Sequence, residues 1–219
     1  MRITALRNLL LICCSLGLLT SCQKELSFDD PVNPGGGTGN PGGGGNPNTT
    51  SILGDYDFMG LRANTYAAVS ITLLGETVKA VTTSDYTSQN NTGTVKITAS
   101  SFVYNAVGYE IHSMANMKSY TNGVMDFEQD FPFDFISPPT TDTYPYTPIT
   151  SDSLTISGPI GVPNPSGGTP TGPVGIKTSW SGDTLLIRTR HSFSQNVIQG
   201  GLPAVMNVSV DGITKLKKK

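Results

Sequence analysis

Cysteine is scarce in this chain: Cys13, Cys14 and Cys22 are the only three, and none follows residue 22. Residues 23–219 therefore hold no disulfide, no thiol nucleophile and no cysteine metal ligand. Histidine is almost as rare, with His112 and His191 alone, too few for a zinc site that needs three or four ligands at short spacings. Charged residues make up 14% of the chain, with 14 basic against 16 acidic. Nucleic acid is excluded as a partner on that balance, since phosphate binding needs a basic surface. No G-x-S-x-G turn exists to expose a serine nucleophile. The one long apolar run, Leu9 to Leu19, is far short of the roughly 20 residues that cross a bilayer as a helix. Helical periodicity and internal repeats are also missing.

What the chain does have begins at its N-terminus. Arg2 and Arg7 supply a positive start, the apolar run follows, and Leu19-Thr20-Ser21-Cys22 forms a small-residue cleavage site. This segment resembles the bacterial lipobox, which implies removal of residues 1–21 and acylation of Cys22. Two or three acyl chains hold a protein stably where one does so only marginally, at about 0.8 kcal/mol per buried methylene. Gln23-Lys24-Glu25 resembles the lysine-plus-acid signal of surface-exported lipoproteins of the Bacteroidota, which implies an outer-membrane lipoprotein facing the cell exterior. Loss of Arg2 and Arg7 takes the basic count from 14 to 12 against 16 acids, a net charge of −4.

Residues 22–50 carry the lipidated cysteine and a tether. From Pro31 to Thr50 the chain reads PVNPGGGTGNPGGGGNPNTT, with nothing after Val32 to enter a core. Its glycine runs have no preceding strand or following helix and so do not make a phosphate loop. No cofactor is expected. At about 5–6 Å times the square root of its length, the segment spans roughly 25 Å.

Residues 51–219 are long enough for a single domain with a real core. They read as short β-branched and aromatic runs between turn residues, the pattern of an all-β fold. Strands are expected around Tyr56 to Leu61, Val69 to Leu73, Val78 to Thr83, Val95 to Tyr104, Tyr109 to Thr121 and Val124 to Phe135. Others follow at Ser153 to Ser157, Val174 to Trp180, Thr184 to Phe193 and Val205 to Val210. Leu74-Gly75-Glu76-Thr77 and Asn122-Gly123 signal turns, the second a hairpin whose residues tolerate positive φ. Polar loops are expected at 88–93 and 105–108, two proline-rich excursions at 137–150 and 158–173, and a frayed basic terminus at 214–219.

Gly54-Asp55-Tyr56, where lipocalins carry Gly-x-Trp, and the hairpin Trp180-Ser181-Gly182-Asp183-Thr184-Leu185-Leu186-Ile187 resemble the lipocalin-like lipoproteins of the Bacteroidota. That resemblance implies an antiparallel, lipocalin-like barrel of about eight strands, packed solid or holding one small apolar ligand. A two-sheet β-sandwich is the alternative.

Several residues carry candidate chemistry. Between Met125 and Phe135, alternation puts Phe127, Phe131, Phe133 and Phe135 on one strand face and Asp126, Glu128, Asp130 and Asp134 on the other. These acids are the only metal candidates, yet same-face carboxylates lie about 6.5–7 Å apart on a flat strand, too far to share one calcium. They better suit an edge strand guarded by charge and Pro132, so no metal is expected. Tyr120, Tyr144, Tyr146 and Trp180 offer aromatic faces for a sugar ring or apolar pocket. His191 falls on the inward face of its strand with Leu185, Ile187 and Thr189. Asp152-Ser153-Leu154 and Asp183-Thr184-Leu185 resemble Bacteroidota O-glycosylation sites, at Ser153 and Thr184. No catalytic set emerges. The expected function is a membrane-anchored, non-catalytic binding domain for an apolar small molecule or glycan, the alternatives being a structural or adhesive surface protein and, third, a hydrolase.

Overall fold

A computed structural model describes residues 51–157, 163, 165 and 173–219. The signal segment, Cys22, the tether and most of the 158–173 excursion lie outside the described residues.

The described residues form nine strands: β1 (Gly54–Leu73), β2 (Glu76–Thr87), β3 (Gln89–Ile97), β4 (Ser101–Thr121), β5 (Val124–Pro148), β6 (Ser153–Ile156), β7 (Val174–Ser181), β8 (Thr184–Gln199) and β9 (Leu202–Lys218). Alternation dictates this: along β8 and β9 every second residue turns inward, and the inward sets from Leu185 to Val197 and from Ala204 to Leu216 are mainly apolar, with Thr189, His191, Gln195 and Thr214 among them. Positive φ at Leu74, Gly75, Asn122, Gly123, Gly182, Gly200 and Gly201 closes the four tight hairpins.

All nine strands belong to one antiparallel sheet, not to the two sheets of a sandwich. Neighbours run β1, β3, β4, β5, β6, β7, β8, β9, and β9 pairs with β1 to complete a ring of eight strands. The polar loop expected at 88–93 is instead mostly strand, since only Ser88 separates β2 from β3: the two both lie between β1 and β4, β2 on the later half of β1 and β3 on its start.

Two further expectations are corrected. Residues 105–108 and 137–148 are not loops but the interiors of β4 and β5, paired with each other from Ser101 and Pro145 to Thr121 and Val124. Pro132, Pro138 and Pro139 are tolerated in β5 because the strand gains its second neighbour only from Tyr146 to Pro148 and is an edge before that. The basic C-terminus is not frayed: Lys215 to Lys218 pair with β1, and the Lys219 amide donates to the Asp55 carbonyl at 3.1 Å.

The main core fills the ring with Tyr56, Phe102, Ile111, Ile156, Leu185 and Leu216, all under 3% exposed. A second cluster, Ala67, Met206, Val208 and Val210, extends it along the later half of β1.

Candidate functional site

On four adjacent strands the in–out alternation slips by one residue at the same height. In β1, Phe58 and Leu61 are both buried with Met59 bulged out, and the register to β9 shifts between Phe58 and Gly60. β3 shifts against β4 on either side of Thr92, at the positive-φ residues Asn90 and Gly93. In β4, Tyr104 and Val107 face inward around the exposed pair Asn105 and Ala106, and β5 answers around Pro138 and Pro139. These are β-bulges, and a bulge re-aims the side chains on either side of it.

The belt is held by bonds that only the fold could bring together. The Leu61 amide donates to Ser88 Oγ at 2.8 Å, Ser88 Oγ donates to Asn91 Oδ1 at 2.6 Å, and Asn91 Nδ2 donates to the Met59 carbonyl at 3.1 Å. Gly93 lies so close to β4 that a Cβ there would stand 2.4 Å from the Ala106 carbonyl oxygen.

Beside the bulges of β1, β4 and β5 lies a cavity of about 110 Å³. Phe58, Tyr104, Tyr109 and Tyr144 surround it, with Leu61, Val107 and Ile156 adding apolar wall. Tyr104 and Tyr144 meet edge to face at 5.3 Å, and Tyr109 packs 6.0 Å from Phe58. Ser137, Thr140, Thr214 and Asp142 supply the polar part. Asp142 and Thr140 are exposed, so the cavity reaches solvent on their side. The Tyr144 hydroxyl donates to Asp142, and Tyr109 is hydrogen-bonded with Ser137.

Burial pushes the Tyr104 hydroxyl far above its ordinary 10, with Tyr144 and Tyr109 beside it adding to the shift. Burial likewise takes Tyr109 up to about 12, and burial followed by the Asp142 charge raises Tyr144. All three tyrosines are therefore neutral donors at physiological pH.

Of the residues singled out from sequence, only Tyr144 lines this cavity. Tyr146 is core: its ring packs on Phe102 at 5.2 Å and its hydroxyl donates to the Thr98 carbonyl at 2.7 Å. Trp180 lies against Tyr56, with Lys218 Nζ 5.7 Å from its ring. Tyr120 lies at the far end of β4 beside the Asn122-Gly123 hairpin. His191 stacks on Phe193 in the second cluster region; its Nδ1 is buried without a hydrogen-bond partner, and burial lowers its pKa.

The four acids do face outward together, opposite the phenylalanines, and each accepts a hydrogen bond from β4. Asp126 takes Thr121 Oγ1 at 2.6 Å, Glu128 and Asp130 share the Asn116 amide at 3.0 and 2.8 Å, and Asp134 pairs with His112 at 2.8 Å. That Asp134 bond, then Glu110, raises the pKa of His112. Among the described residues no three His, Cys, Asp or Glu side chains converge on a metal position. Ser153 and Thr184 sit at the starts of β6 and β8, each bonded to the preceding aspartate.

Phe58, Tyr104, Tyr109 and Asp142 were missed. The signal was present in the breaks of alternation at Asn105-Ala106 and Pro138-Pro139, which read as connections instead. Comparison with known proteins found no matching family model, no similar curated protein and no similar solved structure.

Proposed function

We propose that this chain is a lipid-anchored, non-catalytic binding protein that takes a small molecule into the bulge-lined cavity of a lipocalin-like barrel. One observation carries the reading: four consecutive strands each spend a bulge at the same height, and the space so made is lined by four aromatic rings with hydroxyls and one carboxylate at its open side. Concave, mostly apolar sites with a few convergent polar groups are the usual form of a small-molecule site. The cavity is smaller than the ~150 Å³ that accommodates a benzene ring, so the ligand, or the part of it that enters, is small. A structural or adhesive module would need only a filled core.

The anchor is Cys22, on the strength of the lipobox, and the glycine-rich residues behind it would let the domain reorient at the outer membrane, facing outward. Replacing Cys22 with Ser should release the protein from the membrane fraction; retention would end the anchor assignment. For the binding role, native mass spectrometry of the purified full chain should show a small adduct that Tyr104→Trp, which fills the cavity, eliminates. A protein that carries no adduct and binds nothing in a small-molecule screen would leave the structural reading in its place.

A further inference from the structure

The lining of the cavity has a charge asymmetry. Asp142 is its one acidic residue, and neither lysine, arginine nor histidine is among the lining residues. Asp142 takes part in none of the ion pairs among the described residues, which engage Asp57, Asp85, Glu110, Glu128, Asp134, Asp183 and Asp211 instead. Its carboxylate sits at the open side of a space walled by Phe58, Tyr104, Tyr109 and Tyr144.

An aromatic face carries partial negative charge, and several rings around one space sum their attraction for a cation placed between them. Tyrosine hydroxyls held in the neutral form keep the rings as faces of this kind and add no full charge of their own. A carboxylate at the rim then supplies the net negative charge that the rings lack. An anion would meet Asp142 with no compensating donor of positive charge. A neutral apolar ligand would bring nothing to offset the charge of that carboxylate, whose hydrogen-bond partner is the neutral Tyr144 hydroxyl.

Size narrows the class. A cavity of about 110 Å³, smaller than the ~150 Å³ void that holds a benzene ring and open to solvent on the side of Asp142 and Thr140, takes in one compact end of a ligand. An acyl chain or a hexose ring is too large to enter whole. An ammonium head group can enter from that open side, with its longer substituent left past Asp142 and Thr140 in solvent.

Resting on the small-molecule reading above, we propose that the cavity is an aromatic cage for a small organic cation, a quaternary or methylated ammonium group, with Phe58, Tyr104, Tyr109 and Tyr144 as its walls and Asp142 as its counter-charge. The attraction is greatest for a methylated cation because it carries its charge on a weakly hydrated surface, so little water need be stripped from it on entry.

The test is a paired titration of the full chain in detergent, followed by nuclear magnetic resonance of the ligand methyl signals, with choline and its uncharged isostere 3,3-dimethylbutan-1-ol. Choline should bind at least tenfold more tightly. Asp142→Asn should erase most of that preference while leaving the isostere's affinity unchanged. Tyr144→Phe, which keeps the ring and removes the hydroxyl, should retain the preference, and Tyr144→Leu should lose it. Equal binding of the two probes, or tighter binding of the isostere, would overturn the cation assignment and leave the binding cavity standing. Failure of both probes to bind, together with the lack of any adduct in the native protein, would overturn both readings.

Discussion

The wall made of β1, β3, β4 and β5 and the wall made of β8 and β9 close the same ring with opposite geometry. β8 and β9 pair in a single unbroken register from Thr184 and Lys217 to Gln199 and Leu202, and their inner face alternates without a slip. The other wall slips on every strand at one height. An unbroken pleat gives a wall that its own side chains fill, while a row of bulges bends the sheet outward and leaves space behind it. The cavity accordingly draws most of its lining from the bulged wall and only Thr214 from β9. Shape here comes from where alternation fails, and stability from where it holds.

The largest effect should come from forcing a side chain into the belt. Gly93 has φ of +92° and a Cβ there would stand 2.4 Å from backbone. Gly182, in the β7–β8 hairpin of the plain side, has φ of +62° and open space around it. Gly93→Ala combines left-handed strain with a clash against a carbonyl that cannot swing away, and should cost about 3 kcal/mol. Gly182→Ala carries strain alone, about 1 kcal/mol. In a domain of this size that is a fall in melting temperature of about 9 °C against about 3 °C. Equal shifts in a thermal melt would break the contrast, because the close approach of β3 to β4 would then not be what holds the belt.

A smaller effect separates the outer faces. On the plain wall Asp211 accepts bonds from Arg188 and Arg190 at 2.7 and 2.6 Å, and the bond from Arg188 first, then that from Arg190, pulls its carboxyl down to about 2. On the bulged side Asp85 has a single arginine, Arg62, and is 51% exposed against 29% for Asp211. A carboxyl held below its unfolded value stabilises the fold above that unfolded value and stops doing so as pH falls through the folded one. Asp211→Asn should therefore cost about 1 kcal/mol at pH 7, once screening at half-exposed arginines is allowed for. That difference from wild type should shrink from about pH 4 downward and vanish near pH 2. Denaturant melts at pH 7, 4 and 2 measure it, and a difference that persists at pH 2 would mean that Asp211 acts through packing instead.

Strand character and the hairpins at Leu74-Gly75 and Asn122-Gly123 are legible in the sequence because both are decided locally. A period of two is a property of neighbouring residues, and a two-residue turn is set by which residues accept positive φ. The outward grouping of Asp126, Glu128, Asp130 and Asp134 opposite the phenylalanines follows from the same rule, as does the inward face of Leu185, Ile187, Thr189 and His191. The site was not legible in this way. Asn105-Ala106 and Pro138-Pro139 look like loop residues, and whether such residues leave the sheet or stay in it as a bulge depends on the strand beside them.

The amino-acid sequence by itself determined that this chain makes β-strands and where most of them turn, since those choices are made between residues a few positions apart. Only the tertiary structure decided that β9 would pair with β1 to close a ring, that Ser88 and Asn91 would pin the bulge at Met59, and that Phe58, Tyr104, Tyr109 and Tyr144 would meet around one space. Each of those outcomes depends on cross-strand register, which is set by hydrogen bonds between residues far apart in the chain and leaves no periodic mark on any one of them.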